Sequence, residues 1–182
     1  MILLAAVPVA VLKGQSRSEI SSRRIKSITS ESYDFRKSPA SLKRTLTRYD
    51  RRGRVLEIVE SDQDSALVSR ELFEYDKKGN ETLHETRDRN DSVKERTTTV
   101  FDKWSNPVSR TEYERKDAKK TVTEFKYNSN NDKVQEIVRD EQGKTLRTID
   151  FEYDKRGLQT GRIVRNDRGD VILKRTQQIE YP

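Results

Sequence analysis

Few residues in this chain have side chains and spacing that could do chemistry. His84 is the only histidine among the 182 residues. A Ser-His-Asp triad or a two-histidine metal site would need partners at defined positions, and no spacing marks them. A strand histidine is more simply a member of a surface pair, so we expect His84 to face Glu71 on a neighbouring strand.

Carboxylates are abundant, with 31 Asp and Glu residues, but no two of them are distinguished by an apolar setting. A hydrolase acting through a pair of carboxylates therefore stays open as an alternative function. The acidic run from Asp88 to Asp91 lacks the dense ligand loop of dedicated Ca²⁺ sites, and capping of a turn explains it more simply. Because the chain also lacks cysteine and a Gly-rich phosphate loop, we expect no catalytic activity, metal or cofactor.

Aromatic residues carry the strongest signal in the chain, because they recur at a fixed spacing. Each aromatic of one set follows the previous one after 26 residues; the set is Tyr49, Tyr75, Phe101, Tyr127 and Tyr153. A second set precedes it by two residues; its members are Phe73, Phe125 and Phe151. Such a constant period defines an internal repeat.

Trp104 is the only tryptophan, and it stands where the other repeats have Lys, Arg or Asn at the tip of a turn. An exposed aromatic at a tip is a candidate contact for a sugar or a protein partner. A single exposed apolar residue is also ordinary on a protein surface. We therefore take the following as candidate binding residues: Trp104, Phe73, Tyr75, Phe101, Phe125, Tyr127, Phe151 and Tyr153.

Each repeat contains two turn signals and two stretches of alternating residues. The first turn follows the aromatic, as in Tyr75-Asp76-Lys77-Lys78-Gly79. The second turns are predicted at 62–65, 88–91, 114–117, 140–143 and 166–169. Asp or Asn caps such turns, and Gly or Asn at the last place tolerates positive φ. Between the turns lie strands of about eight residues, rich in Thr, Val, Ile, Tyr and Phe.

A first loop of four residues would fix the partners across each hairpin. It predicts one set of pairs two residues before the aromatic: Phe73 with Thr82, Thr99 with Val108, Phe125 with Val134, and Phe151 with Thr160. It predicts a second set at the aromatic itself: Tyr75 with Asn80, Phe101 with Asn106, Tyr127 with Asp132, and Tyr153 with Leu158. The aromatics would then form one stripe across the sheet.

The predicted fold is all-β: an antiparallel meander of about a dozen strands built from 26-residue hairpin repeats. Short turns join the strands, so that consecutive strands must pair antiparallel. We expect essentially no helix after Gln15, and none that could cover either face of the sheet. The sheet should therefore be open and strongly twisted or curled.

Charge and the N-terminal segment give the remaining expectations. The chain has 38 Lys and Arg and a formal net charge of +7, but both signs alternate along the strands, so nucleic acid is not the expected partner. Residues 1–12 are almost wholly apolar, which is typical of a secretory signal and too short for a spanning helix. We predict a signal segment at 1–16, a repeat domain at 17–182, and a secreted, periplasmic or envelope location. No transmembrane span is expected.

The motif Tyr-Asp-x-x-Gly at Tyr49, Tyr75 and Tyr153 resembles the YD repeats of bacterial Rhs-type secreted and cell-surface proteins. The chain from Arg24 to Pro182 is also similar to small secreted β-hairpin repeat proteins of Gram-negative bacteria. In that resemblance, Ser105 and Asn131 replace the turn glycine in two repeats. The resemblance implies a hairpin architecture and suggests carbohydrate binding.

These observations together favour a non-catalytic repeat scaffold that presents a binding surface. The expected partner is a glycan or an envelope protein. The alternatives are an electrostatic binder of an anionic polymer such as nucleic acid, and the carboxylate-based hydrolase.

Overall fold

The protein is a single antiparallel sheet preceded by one short helix. The computed structural model describes residues 15–36 and 40–182. Its elements are α1 (Arg17–Ser22), β1 (Ser27–Asp34), β2 (Ser41–Tyr49), β3 (Val55–Ser61), β4 (Leu67–Tyr75), β5 (Glu81–Arg87), β6 (Val93–Phe101), β7 (Pro107–Glu114), β8 (Lys119–Tyr127), β9 (Lys133–Asp140), β10 (Thr145–Tyr153), β11 (Gln159–Arg165) and β12 (Val171–Thr176). The twelve strands pair in chain order, so β1 and β12 are the two edges. The predicted all-β meander is confirmed.

The turns have the chemistry that the sequence predicted. In the β4–β5 hairpin, the Gly79 N–H donates to the Asp76 carbonyl, and the Asp76 N–H donates to the Asn80 carbonyl. Gly79 has a φ of +98°, a region that glycine enters without steric cost. The Asp76 carboxylate accepts from the N–H groups of Gly79 and Asn80, which stabilises the loop. The same backbone pattern closes each of the other hairpin loops after the repeat aromatics.

The predicted cross-strand partners are wrong, because these loops contain three residues and are followed by a bulge. Tyr75 faces Glu81, and Glu74 faces Leu83, so that Thr82 has no partner of its own. Three-residue loops of this kind end in a left-handed residue and shift the register. The observed pairs are Phe73–His84, Tyr75–Glu81, Thr99–Arg110, Phe101–Pro107, Phe125–Glu136, Tyr127–Lys133, Phe151–Arg162 and Tyr153–Gln159.

The β7–β8 hairpin differs from its counterparts. The predicted turn at 114–117 is wrong by one residue: Glu114 pairs with Lys119, and the loop occupies 115–118. Ala118 takes the positive φ at the end of this loop, and the Arg115 N–H donates to the Lys94 carbonyl of β6. Here the loop has four residues and the ladder continues without a bulge.

Very little of the sheet is enclosed. Among the described residues, the buried apolar side chains are Ile20, Ile149 and Val164. Contacts between elements run between strands that are neighbours in the chain, with no second layer packed on the described sheet. Stability must therefore come from cross-strand contacts spread along the sheet, as in other repeat proteins.

Helix α1 corrects the expectation that no helix follows Gln15. Ser16 and Glu19 form a capping box, in which the Ser16 side chain accepts from the Glu19 N–H and the Glu19 carboxylate accepts from the Ser16 N–H. Such a box satisfies two helix donors that would otherwise lack partners. The Ser21 hydroxyl donates to the Arg51 carbonyl at 3.1 Å, which holds α1 on the β2–β3 loop.

The two ends of the chain qualify the sequence predictions. The predicted signal segment, 1–16, lies outside the described residues except for Gln15 and Ser16. In the part of the chain that the structure describes, no helix has the length and apolar character to cross a membrane. The last strand, β12, ends at Thr176, and the tail after it continues alongside β11. At the end of the tail, the Tyr181 hydroxyl donates to the Asp154 carboxylate in the β10–β11 loop.

Candidate functional site

The candidate aromatic residues share one face of the sheet, which we call the aromatic face. Its members are Phe73, Tyr75, Phe101, Phe125, Tyr127, Phe151 and Tyr153. All seven side chains are half-buried. Since alternate residues of a strand point to the same side, aromatics at the end of a strand and two residues earlier lie together.

Tyrosine hydroxyls on the aromatic face are used to bind the neighbouring strand. The Tyr127 hydroxyl donates to the Pro107 carbonyl at 2.9 Å, and the Tyr153 hydroxyl donates to the Lys133 carbonyl at 2.9 Å. Each ring therefore crosses to the strand of the preceding hairpin. Burial raises the pKa of both phenols, which keeps them protonated as donors.

Cationic side chains cover part of the aromatic face. The Arg54 guanidinium lies 4.4 Å from the centre of the Tyr75 ring. The Lys133 ammonium lies 4.9 Å from the Phe151 ring and 5.6 Å from the Phe125 ring. These contacts are close enough for cation–π attraction. The face is therefore a mixture of ring surface and positive charge.

Trp104 lies beside this face, at the tip of the β6–β7 loop. Its side chain is 64% exposed, and the Lys103 ammonium is 4.1 Å from its ring centre. The Asp102 carboxylate accepts a hydrogen bond from the backbone N–H of Trp104 at 2.8 Å, which fixes the backbone of the tip. The indole is thus held on an ordered loop and is open to a ligand.

His84 lies on the aromatic face and contacts Glu71, although not from the predicted position. Its Nε2 is 3.1 Å from the Glu71 carboxylate, and both side chains are partly exposed. The residue directly opposite His84 is Phe73, whose ring stacks on the imidazole at 4.5 Å. The bulge at Thr82 moves His84 into register with Phe73 and leaves Glu71 as a diagonal neighbour.

Sequence reasoning missed Glu85, a buried carboxylate on the opposite face. The side chain is 2% exposed and accepts hydrogen bonds from the guanidinium groups of Arg87 and Arg96. Burial alone would raise the pKa of Glu85, but the two guanidinium groups outweigh it and hold the pKa below its usual value. The signal was available in the repeat itself, because equivalent positions carry Val59, Thr111, Ile137 and Ile163.

The acidic turn at 88–91 is occupied by contacts within the protein. The Asp88 carboxylate accepts from the Asn90 and Ser92 N–H groups and from Arg115. The Asp91 carboxylate pairs with Arg70 at 3.0 Å. Across 15–36 and 40–182, no group of three His, Cys, Asp or Glu side chains is arranged to hold a metal ion.

The solved structures described here resemble this chain only at low sequence identity. No family model and no curated protein sequence matches it. A solved porin-like protein from Bacteroides uniformis is 11% identical, with a TM-score of 0.37, and covers 85% of this chain. The Photorhabdus luminescens Tc holotoxin pore is 9% identical, with a TM-score of 0.25, and covers 74% of this chain.

This chain is much shorter than either of those two structures. It covers 56% of the porin-like chain and 10% of the holotoxin chain.

Proposed function

We propose that this protein is a non-catalytic scaffold that presents the aromatic face to a glycan or a protein partner. The observation that carries the proposal is the row of half-buried rings with no second layer over them in the described sheet. Aromatic side chains commonly supply binding energy at interfaces, and their flat surfaces fit sugar rings. Arg54 and Lys133 beside the rings add hydrogen-bond donors to this surface.

The proposed setting is outside the cytoplasm, either secreted or in the cell envelope. The apolar run at residues 1–12 supports this setting, because export signals have such a region. The resemblance of the Tyr-Asp-x-x-Gly turns to YD repeats supports it as well.

The alternative of a carboxylate-based hydrolase is less well supported. Glu85 is the buried carboxylate of the described sheet, and it is paired with Arg87 and Arg96. A general acid near neutral pH needs a raised pKa, whereas that of Glu85 is lowered. A structural role for this carboxylate is therefore the better interpretation.

A binding experiment with two matched variants tests the proposed function. Labelled protein would be applied to a glycan array and to separated envelope proteins. Trp104→Ala with Tyr127→Ala removes two rings on or beside the aromatic face, whereas Tyr113→Ala removes one from the opposite face. We expect the double change to abolish binding and the Tyr113 change to preserve it. Binding that both variants retain would contradict a role for the aromatic face.

Accessibility of the indole gives a second readout. Trp104 is the only tryptophan, so its fluorescence reports this tip alone. Iodide should quench the free protein strongly, because the side chain is 64% exposed. A bound glycan should protect it, and quenching that no ligand reduces would exclude Trp104 from the binding surface.

A further inference from the structure

The two rims of the sheet differ sharply in charge. One rim carries the loops after the repeat aromatics, between β2–β3, β4–β5, β6–β7, β8–β9 and β10–β11. The two tip residues of these loops include seven cations and no acid; we name them the basic row: Arg51, Arg52, Lys77, Lys78, Lys103, Lys155 and Arg156. The tips of the opposite rim mix both signs; their charged residues are Asp64, Arg89, Lys116, Asp117, Glu141, Asp167 and Arg168.

The cations of the basic row lack ion-pair partners within the described protein. All seven side chains are exposed, and none of them forms an ion pair in the part of the chain that the structure describes. Cations on the strands behave differently: Arg70 pairs with Glu57 and Asp91, and Arg96 pairs with Glu85. Positive and negative residues therefore alternate along the sequence, but in the folded protein the unpaired cations gather along one rim of the sheet.

The aspartates that open these loops are turned toward their own backbone. The Asp76 carboxylate accepts from Gly79, Asn80 and the Asn80 side chain, and these bonds outweigh burial and lower its pKa. Asp50 is likewise bound by the N–H groups of Arg52 and Arg54. These carboxylates hold the loops from within and stay ionised, while the cations project from the tips.

Hydrogen bonds between successive loops link the first four of the five loops on this rim. The Arg52 guanidinium donates to the Lys77 carbonyl at 3.0 Å, and the Lys78 ammonium donates to the Lys103 carbonyl. The Asn106 amide donates to the Asn131 side chain at 2.6 Å. Successive tips are two strands apart, which corresponds to a spacing of about 10 Å.

We propose that the basic row binds a linear acidic polysaccharide that carries about one carboxylate in each disaccharide. This inference rests on the proposed binding function and names the class of glycan. The line of tips, about 10 Å apart, matches a polymer whose charges are widely spaced. Between the cations lie the exposed indole of Trp104 and the amides of Asn130 and Asn131, which can contact sugar rings and hydroxyl groups.

Other anionic partners fit this geometry less well. Duplex DNA carries one charge per ~1.7 Å of its axis, far denser than the row, and nucleic-acid binding usually uses several stacking aromatics between cations. A planar anionic membrane would reach only a few tips, because each strand adds ~20–25° of twist and the rim must curve. A flexible chain can follow that curve.

Charge reversal on the two rims tests the proposal with equal changes in net charge. Lys77→Glu with Lys78→Glu alters the basic row, and Arg89→Glu with Lys116→Glu alters the opposite rim. The immobilised probes are hyaluronan, neutral dextran and single-stranded oligo-dT, measured over a range of salt concentrations. We expect hyaluronan binding that weakens with salt, no dextran binding, and a loss on the order of tenfold for the basic-row variant only.

Each contrary result has a distinct meaning. Equal losses in both variants would overturn the proposal in favour of attraction by net charge. Tighter binding of oligo-dT, lost in the basic-row variant, would replace the polysaccharide by nucleic acid. If hyaluronan does not bind, the proposal that the basic row binds an acidic polysaccharide is wrong. The proposed function of the aromatic face is tested separately, by the array experiment with the Trp104 and Tyr127 changes.

Discussion

The α-carbon of Gly53 lies so close to the carbonyl oxygen of Arg17 that a Cβ atom at Gly53 would overlap with it. The same Cβ would come within 3.2 Å of the Ser21 nitrogen. Helix α1 therefore packs against the β2–β3 loop. Two features of this loop require glycine at position 53. The backbone has a φ of +73°, and the helix leaves no space for a side chain.

Replacement of this glycine should release the helix. We expect Gly53→Ala to remove the hydrogen-exchange protection of the Ile20 and Ile25 amides, which bond within and after α1. Gly157→Ala is the matched control, because its φ is +77° and no atom lies within 4 Å of the added Cβ. The control should cost only the ~1–2 kcal/mol of a left-handed alanine. Equal exchange in the two variants would show that α1 does not depend on Gly53.

Glu85 should make stability depend on pH. Its pKa is lowered in the folded state, so its contribution is full above the unfolded value of about 4.5 and is lost as pH falls through the folded pKa. Glu85→Gln should lower the free energy of unfolding by roughly 1–3 kcal/mol at pH 7, a range reduced because Arg87 and Arg96 are partly exposed. At pH 3 the difference in the free energy of unfolding between this variant and wild type should be smaller, because the contribution of ionised Glu85 is lost as pH falls.

Urea denaturation at the two pH values measures this effect. Glu95→Gln on the next strand is the control, because that carboxylate is exposed and its one ion pair among the described residues is with Lys94 at 3.5 Å. The control should change stability little at either pH. If Glu85→Gln lowers the free energy of unfolding equally at pH 3 and pH 7, the ionisation of Glu85 does not contribute to stability.

The tyrosine hydroxyls on the aromatic face should contribute to stability through single hydrogen bonds. Tyr127→Phe and Tyr153→Phe each remove a bond to a carbonyl of the neighbouring strand. We expect a loss of about 0.5–1.5 kcal/mol for each in denaturation experiments. Tyr113→Phe, on the opposite face, should have no measurable effect, and a comparable loss there would contradict the assignment.

The phenylalanine rings of the aromatic face should contribute more than the hydroxyls. Phe125→Ala or Phe151→Ala removes a half-buried ring from the centre of the sheet. Each should cost ~1–4 kcal/mol, toward the lower end because solvent reaches the face. Thr82→Ala should cost less, since Thr82 is the unpaired residue of a bulge. Unchanged denaturation midpoints for both Phe variants would show that these rings do not contribute to the stability of the sheet.

The proposed export predicts a processed N-terminus. Sequencing of the native protein should find a start between about Lys13 and Ser18, because signal segments are removed during export. Leu4→Arg interrupts the apolar run and should leave the segment in place. An intact Met1 in the wild-type protein would contradict secretion.

The repeat and its turns could be read from the sequence because they are local properties. Asp76 and Gly79 specify a turn through their own side chain and backbone, and the alternation between turns specifies a strand. The capping box of Ser16 and Glu19 was equally local, and α1 could have been predicted from it. The faces were predictable too: the partner of Phe73 shifts by two residues, from Thr82 to His84, and a shift of two preserves the face.

The partners across each hairpin were decided only in the folded chain. Three-residue and four-residue loops both occur in this sheet, and each gives a different register to the strands that it joins. The burial of Glu85 likewise depends on Arg87 and Arg96 meeting over it from two strands. The basic row exists only because strands of nearly equal length bring every second loop to the same rim. Sequence alone determined the period and the turns, which are local; tertiary structure decided pairing, burial and the separation of charge, which depend on residues brought together from different strands.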